Sequence, residues 1–189
     1  MTDLSDDRQQ RWQQIVAQTQ QEYRTLSSSE KRWIGDLLTK IDRLQCALDH
    51  LFIKAGGEQV CATCEGACCA KGHNHVGLPN LLAYLQQDEL PPPADFAKTC
   101  PWLGPQGCVH PVGHRPYNCI TFLCDKLEQH LNQSEVVEFY RLDRELRKLY
   151  QTFANHYLSG GMSGLLLQTA RLNGHPLLSL RSESGKDSK

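Results

Sequence analysis

The chain has 189 residues, enough for one domain with a buried core, or for a core with helical extensions. Charged residues make up 22% and nearly cancel, to a formal net charge of -1, which argues against nucleic acid and an anionic membrane surface as partners. The amino terminus, "MTDLSDDRQQRWQQ", lacks the basic start and apolar run of an export signal, and no window approaches the roughly 18 apolar residues of a membrane span, so a cytoplasmic protein is expected.

Residues 1–57 predict a helical hairpin. Trp12, Val16, Tyr23 and Leu26 form a thin apolar stripe among glutamines, marginal without a partner helix. That partner follows at once. Ser27 and Glu30 have capping-box spacing, Ile34, Leu37, Leu38, Ile41, Leu44, Leu48, Leu51 and Phe52 make one continuous face, and Gly56 and Gly57 supply the stop. Cys46 falls in the middle of this helix and reads as a packed or unengaged thiol.

Residues 58–126 differ in composition. They hold eight of the nine cysteines, many Gly and Pro, and one clear helix around "PNLLAYLQQ", opened by Pro79 and closed by Pro91, Pro92 and Pro93. So loop-rich a segment is expected to bury little apolar surface and to need another source of folding energy. Residues 127–175 predict C-terminal helices. Ser134 is the expected N-cap of a long one, Phe139, Leu142, Leu146, Leu149, Phe153 and Tyr157 alternate steps of three and four, and Gly160 and Gly161 end it. Glu138 with Arg141 and Asp143 with Arg147 are favourable surface pairs. "SGLLLQTARL" is a shorter apolar segment, and residues 176–189 are expected to be disordered. The fold class is mainly α: a helical hairpin and C-terminal helices flanking a loop-rich, cysteine-bearing, metal-binding segment.

The cysteines form two groups. Cys61, Cys64, Cys68 and Cys69 follow a C-x2-C-x3-C-C pattern, and Cys100, Cys108, Cys119 and Cys124 lie in "CPWLGPQGCVHPVGHRPYNCITFLC". Disulfides, a redox dithiol, a catalytic nucleophile and metal ligands compete to explain them. A reducing cytosol disfavours disulfides, and an odd count agrees. A two-residue gap lets two thiolates reach one ion, and metal binding would supply the missing folding energy. The candidate ligands are therefore Cys61, Cys64, Cys68, Cys69, Cys100, Cys108, Cys119 and Cys124. Adjacent Cys68 and Cys69 need not share an ion. His73 and His75, two apart, would face one side of a strand, and His110 and His114 lie between ligands; all four read first as solvated loop residues and second as ligands. Gly66 and Gly107 permit turns, and Arg115 either offsets thiolate charge or forms an ordinary salt bridge.

"CATCEGACC", followed by "CPWLGPQGC" and "RPYNCITFLC", resembles the zinc- or iron-chelating domain proteins, the YkgJ-type cysteine cluster family. The resemblance covers Cys61 to Cys124, about a third of the chain. His110 and Pro111 stand where that family carries an apolar residue and a Tyr, and Ile120 where it carries an Arg. A flagellin lysine methylase has a similar cysteine pattern in a longer chain. The resemblance implies an iron-sulfur cluster or zinc in a bacterial-type protein and leaves the reaction open. Redox work would need iron, since zinc has one accessible oxidation state. The alternatives are a structural zinc module whose helices engage a protein partner, and a metal-dependent transferase. No glycine-rich cofactor loop and no nucleophile–base pair is recognisable, so no catalytic residue is assigned.

Overall fold

A computed structural model describes residues 2–63, 72–105, 107–172 and 174–181. Cys64, Gly66, Cys68 and Cys69 lie outside the described residues. The fold is mainly helical, as expected. Its helices are α1 (Thr2–Thr25), α2 (Ser28–Lys54), α3 (Gly57–Thr63), α4 (Leu78–Gln86), α5 (Tyr117–Ile120), α6 (Asp125–Glu128), α7 (Gln133–His156) and α8 (Leu165–Thr169). A two-stranded antiparallel hairpin, β1 (Leu103–Gly104) and β2 (Gly107–Cys108), pairs Leu103 with Cys108.

α4 is the centre of the molecule. Leu78, Leu81 and Leu82 are fully buried, and each side chain contributes about 1.5–3 kcal/mol by leaving water. Proline opens it at no hydrogen-bond cost, and the Asn80 carboxamide accepts the Gly77 amide at 2.9 Å. Phe96, Trp102, Tyr117 and Ile120 join the same core. The loop-rich segment is therefore not poor in buried surface, contrary to expectation: its few apolar residues are concentrated in one helix that is buried on every side.

The hairpin of α1 and α2 is opened by this helix. α1 packs on α4 and α8, while α2 packs on α7, on α4 and on the 3-10 turn Val112–His114. Gln86 at the end of α4 touches both, accepting the Tyr23 hydroxyl at 2.6 Å and lying against Gly35. Trp12 meets Trp102 edge to face at 5.2 Å between ring centroids.

Three helix ends differ in detail from expectation. Ser27 caps α2 by accepting the Glu30 amide, but the Glu30 carboxylate turns to His156 Nε2 at 2.6 Å and the Tyr157 hydroxyl at 2.5 Å, so only half the capping box forms. Asn132, not Ser134, caps α7, because its side chain accepts the Glu135 amide while Glu135 reaches back to the Asn132 amide. α7 stops at His156, four residues before the glycine pair, where Tyr157 turns extended and bridges to Leu180.

That bridge belongs to a tied C-terminal strap. The Glu22 carboxylate accepts the amides of Leu177 and Leu178, both buried, and the Arg181 guanidinium donates to the carbonyl of Ala154 at 2.6 Å. Residues 176–181 are thus ordered against the core rather than part of a disordered tail, and residues 182–189 lie outside the described residues. Arg141 pairs with Glu138 as expected, whereas Asp143 and Arg147 both engage the Tyr117 hydroxyl instead of each other. Among the described residues no helix is long and apolar enough to cross a membrane.

Candidate metal centre

The first cysteine group begins on a helix that composition hid. Gly56, at a φ of +74°, reverses the chain after α2, and Gly57 starts α3 against the Phe52 ring, where a Cβ would lie 2.4 Å from ring carbons. α3 carries Cys61 and packs against β2, which ends in Cys108, and against α6, which Cys124 precedes. A small apolar cluster holds this corner together: Ala55, Leu127 and Leu131, with Phe52, Val60, Leu123, Cys124 and Val136 around them.

Gly72 is buried against Cys100. A Cβ there would sit 2.6 Å from the Cys100 sulfur. Three residues on, His75 Nδ1 lies 3.3 Å from the sulfur of Cys119, which α5 presents after the buried Tyr117. Each end of the interval that contains Cys64, Cys68 and Cys69 is therefore anchored on elements of the second cysteine group. Among the described residues, no three of His, Cys, Asp and Glu gather closely enough to hold an ion.

Cys108 keeps an exposed edge, yet the protein packed about its sulfur pushes the thiol pKa up. The His110 amide donating to the sulfur and the Arg115 charge pull the other way. Both favour thiolate, the form that binds metal, and loading such a site releases a proton. Arg115 itself pairs with Asp49 at 2.8 Å, and both side chains are largely buried. The two expected roles of Arg115 are one: the salt bridge holds the charge near Cys108. Cys46 is exposed on α2, its sulfur 3.8 Å from Asp42 Oδ1.

The histidines separate. His73 turns away from His75, its Nε2 at 2.9 Å from the Lys98 carbonyl and its Nδ1 at 3.3 Å from Arg8, because residues 72–74 form a 3-10 turn rather than a strand. His110 and His114 are not solvated loop residues. Each is at least nine-tenths buried, packed with Tyr84 and Trp102. Burial, His114 and Arg115 lower the pKa of His110 to about 4, and its Nδ1 lies 2.8 Å from the Tyr84 hydroxyl. Burial also lowers His114, against the opposing pull of the Ala83 carbonyl, Asp42 and Glu89. Burial, with Cys108 and Glu89 adding, raises the Tyr84 pKa, and Tyr150 is raised by burial and by Cys119.

Apart from His75, sequence reading missed the residues that line the cleft next to the Cys119 segment. Asn74, His75, Asn118, Met162, Ser163 and Leu167 line a cleft of about 460 Å³. Asn118 directly precedes Cys119, a cue of position only; Met162 and Ser163 come from the far end of the chain and left no local signal.

Comparison of the chain with family models, with curated proteins and with solved structures finds no match. The resemblance to the cysteine cluster family rests on the motif.

Proposed function

We propose that this is a cytoplasmic metal-binding protein whose two cysteine groups hold an iron-sulfur cluster or zinc, with a redox or sensing role. The observation that supports the reading is that α3, which carries Cys61, packs against the elements of Cys108 and Cys124, while Gly72 and His75, which follow the first group in the chain, lie against Cys100 and Cys119. The donor chemistry fits: thiols in number, one receiving a backbone amide and facing an arginine, suit a soft or borderline metal. Cys61, Cys64, Cys68, Cys69, Cys100, Cys108, Cys119 and Cys124 are the residues that would hold it. An iron centre would supply one-electron chemistry, and zinc would supply structure or Lewis acidity. Arg115, fixed by Asp49, offsets thiolate charge, and His75 orients Cys119. The exposed helical faces are where a protein partner would dock.

The deciding experiment is metal and acid-labile sulfide analysis, with a visible spectrum, on protein purified without oxygen. Iron with sulfide supports the redox or sensing reading. Stoichiometric zinc without sulfide moves the protein to the structural module, or to a zinc-dependent transferase if activity is found. Absence of bound metal, or metal content unchanged when Cys64 or Cys119 is replaced by Ser, refutes the assignment; Cys46→Ser is the control that leaves content intact.

A further inference from the structure

The cleft beside Cys119 is built by a long-range contact. Residues 163–165 dock on residues 74–76, with the Gly164 amide donating to the Asn74 carbonyl at 2.8 Å and the Leu165 amide to the Val76 carbonyl at 2.8 Å. The approach is close enough to require glycine, since a Cβ at Gly164 would lie 2.3 Å from the Asn74 carbonyl oxygen. Beside this contact the wall of about 460 Å³ opens, a volume within the usual range for small-molecule sites. Its polar groups are the carboxamides of Asn74 and Asn118, the Ser163 hydroxyl and the His75 imidazole, and its apolar ones are Met162 and Leu167. Among the described residues the side chains of Asn74, Asn118 and Ser163 make no hydrogen bond.

We propose that this cleft binds an uncharged, amide-bearing small molecule, with its apolar end on Met162 and Leu167, directly beside the Cys119–His75 pair. Among the described residues no Lys, Arg, Asp or Glu lines the wall, and against these groups a charged ligand would lose hydration without gaining a counter-charge. A carboxamide offers donor and acceptor together, as does the amide group it would meet, and two of them with a hydroxyl match a ligand of dipeptide size. A ligand there lies against His75, whose Nδ1 is 3.3 Å from the Cys119 sulfur. For its role, though not for binding itself, the proposal rests on the metal reading: it makes the centre one that a small molecule can approach.

The test is a nuclear magnetic resonance titration of the full chain with N-acetylleucine amide, following the side-chain carboxamide signals of Asn74 and Asn118. Saturable shifts with a Kd near or below about 1 mM, weakened about tenfold in Ser163→Tyr and in Asn118→Leu, support the proposal. N-acetylglutamate at the same concentrations is expected to leave the signals in place. The proposal is overturned if the shifts stay linear up to about 10 mM, if Ser163→Tyr binds as the wild type does, or if the charged analogue binds equally well. Cobalt titration of the same sample separates the two readings. Cobalt–thiolate absorption with a silent cleft sinks this proposal alone, and a responsive cleft without that absorption sinks the metal reading alone.

Discussion

Replacing Gly72 with Ala tests the packing that seats Cys100. The new Cβ would lie 2.6 Å from the Cys100 sulfur, 3.0 Å from its Cβ and 3.4 Å from its Cα. Comfortable carbon contacts fall at about 3.5–4.0 Å, so the sulfur is overlapped by about 1 Å while the backbone contact is only tight. Gly72 does not have a positive φ, and the effect is therefore steric rather than conformational. Overpacking of this kind costs about 1–3 kcal/mol. Because most of the overlap is with one atom, removing that atom should relieve it. In a double-mutant cycle, Gly72→Ala is expected to be about 1–2 kcal/mol less destabilising in a Cys100→Ala background than in the wild type. The assay is urea unfolding of reduced, metal-free protein, with free energies from linear extrapolation. Additive costs, within about 0.5 kcal/mol, would refute the contact. In the metal-loaded protein the single Gly72→Ala change should also lower metal content, as the thiol is turned from its position.

Three further outcomes are expected. Glu30→Ala leaves the buried Tyr157 hydroxyl and His156 without their acceptor and should cost about 1–3 kcal/mol in the same unfolding assay; Glu30→Gln, which keeps one acceptor oxygen, should cost less. Arg115→Met leaves Asp49 unpaired and removes a charge that favours the Cys108 thiolate, so both stability and metal content should fall, and unchanged metal content would show that the guanidinium has no bearing on the site. The buried histidines make metal-free protein acid-labile. An unfolded histidine titrates near 6.5 and folded His110 at about 4, so the unfolded chain takes the proton first. Stability is complete above about pH 6.5 and falls as pH drops toward 4, by up to about 1.4 kcal/mol per unit for each such group. His114 contributes in the same direction against Asp42 and Glu89, and His114→Phe should flatten the slope in urea midpoints measured from pH 7 to 4.5.

Periodicity located α2 and α7 and most of their buried faces, because a face of leucines at steps of three and four has one way to leave water. The same reasoning named Pro79 as a helix opener. It placed the ends of α2 at Ser27 and Gly56 but misjudged those of α7, since Asn132 and Ser134 are both good caps and Glu135 forms a capping box with Asn132. It misjudged the middle segment for a different reason. Averaging composition over 58–126 diluted "LPNLLAYL", whose density of leucine is the signature of a helix enclosed on all sides.

The cysteine spacing is local chemistry, and the sequence by itself determined that eight thiols would share one segment in a chain of balanced charge. It determined the helical class as well, through patterns that repeat within a few residues. What only the tertiary structure decided is which groups meet. His75 against Cys119, Gly72 against Cys100, Arg115 between Asp49 and Cys108, and Ser163 beside Asn74 all join residues far apart in the chain. Such contacts depend on how α4 separates α1 from α2 and on where the 162–167 segment docks, and no short-range pattern encodes either, because each follows from the way all the buried faces are satisfied at once.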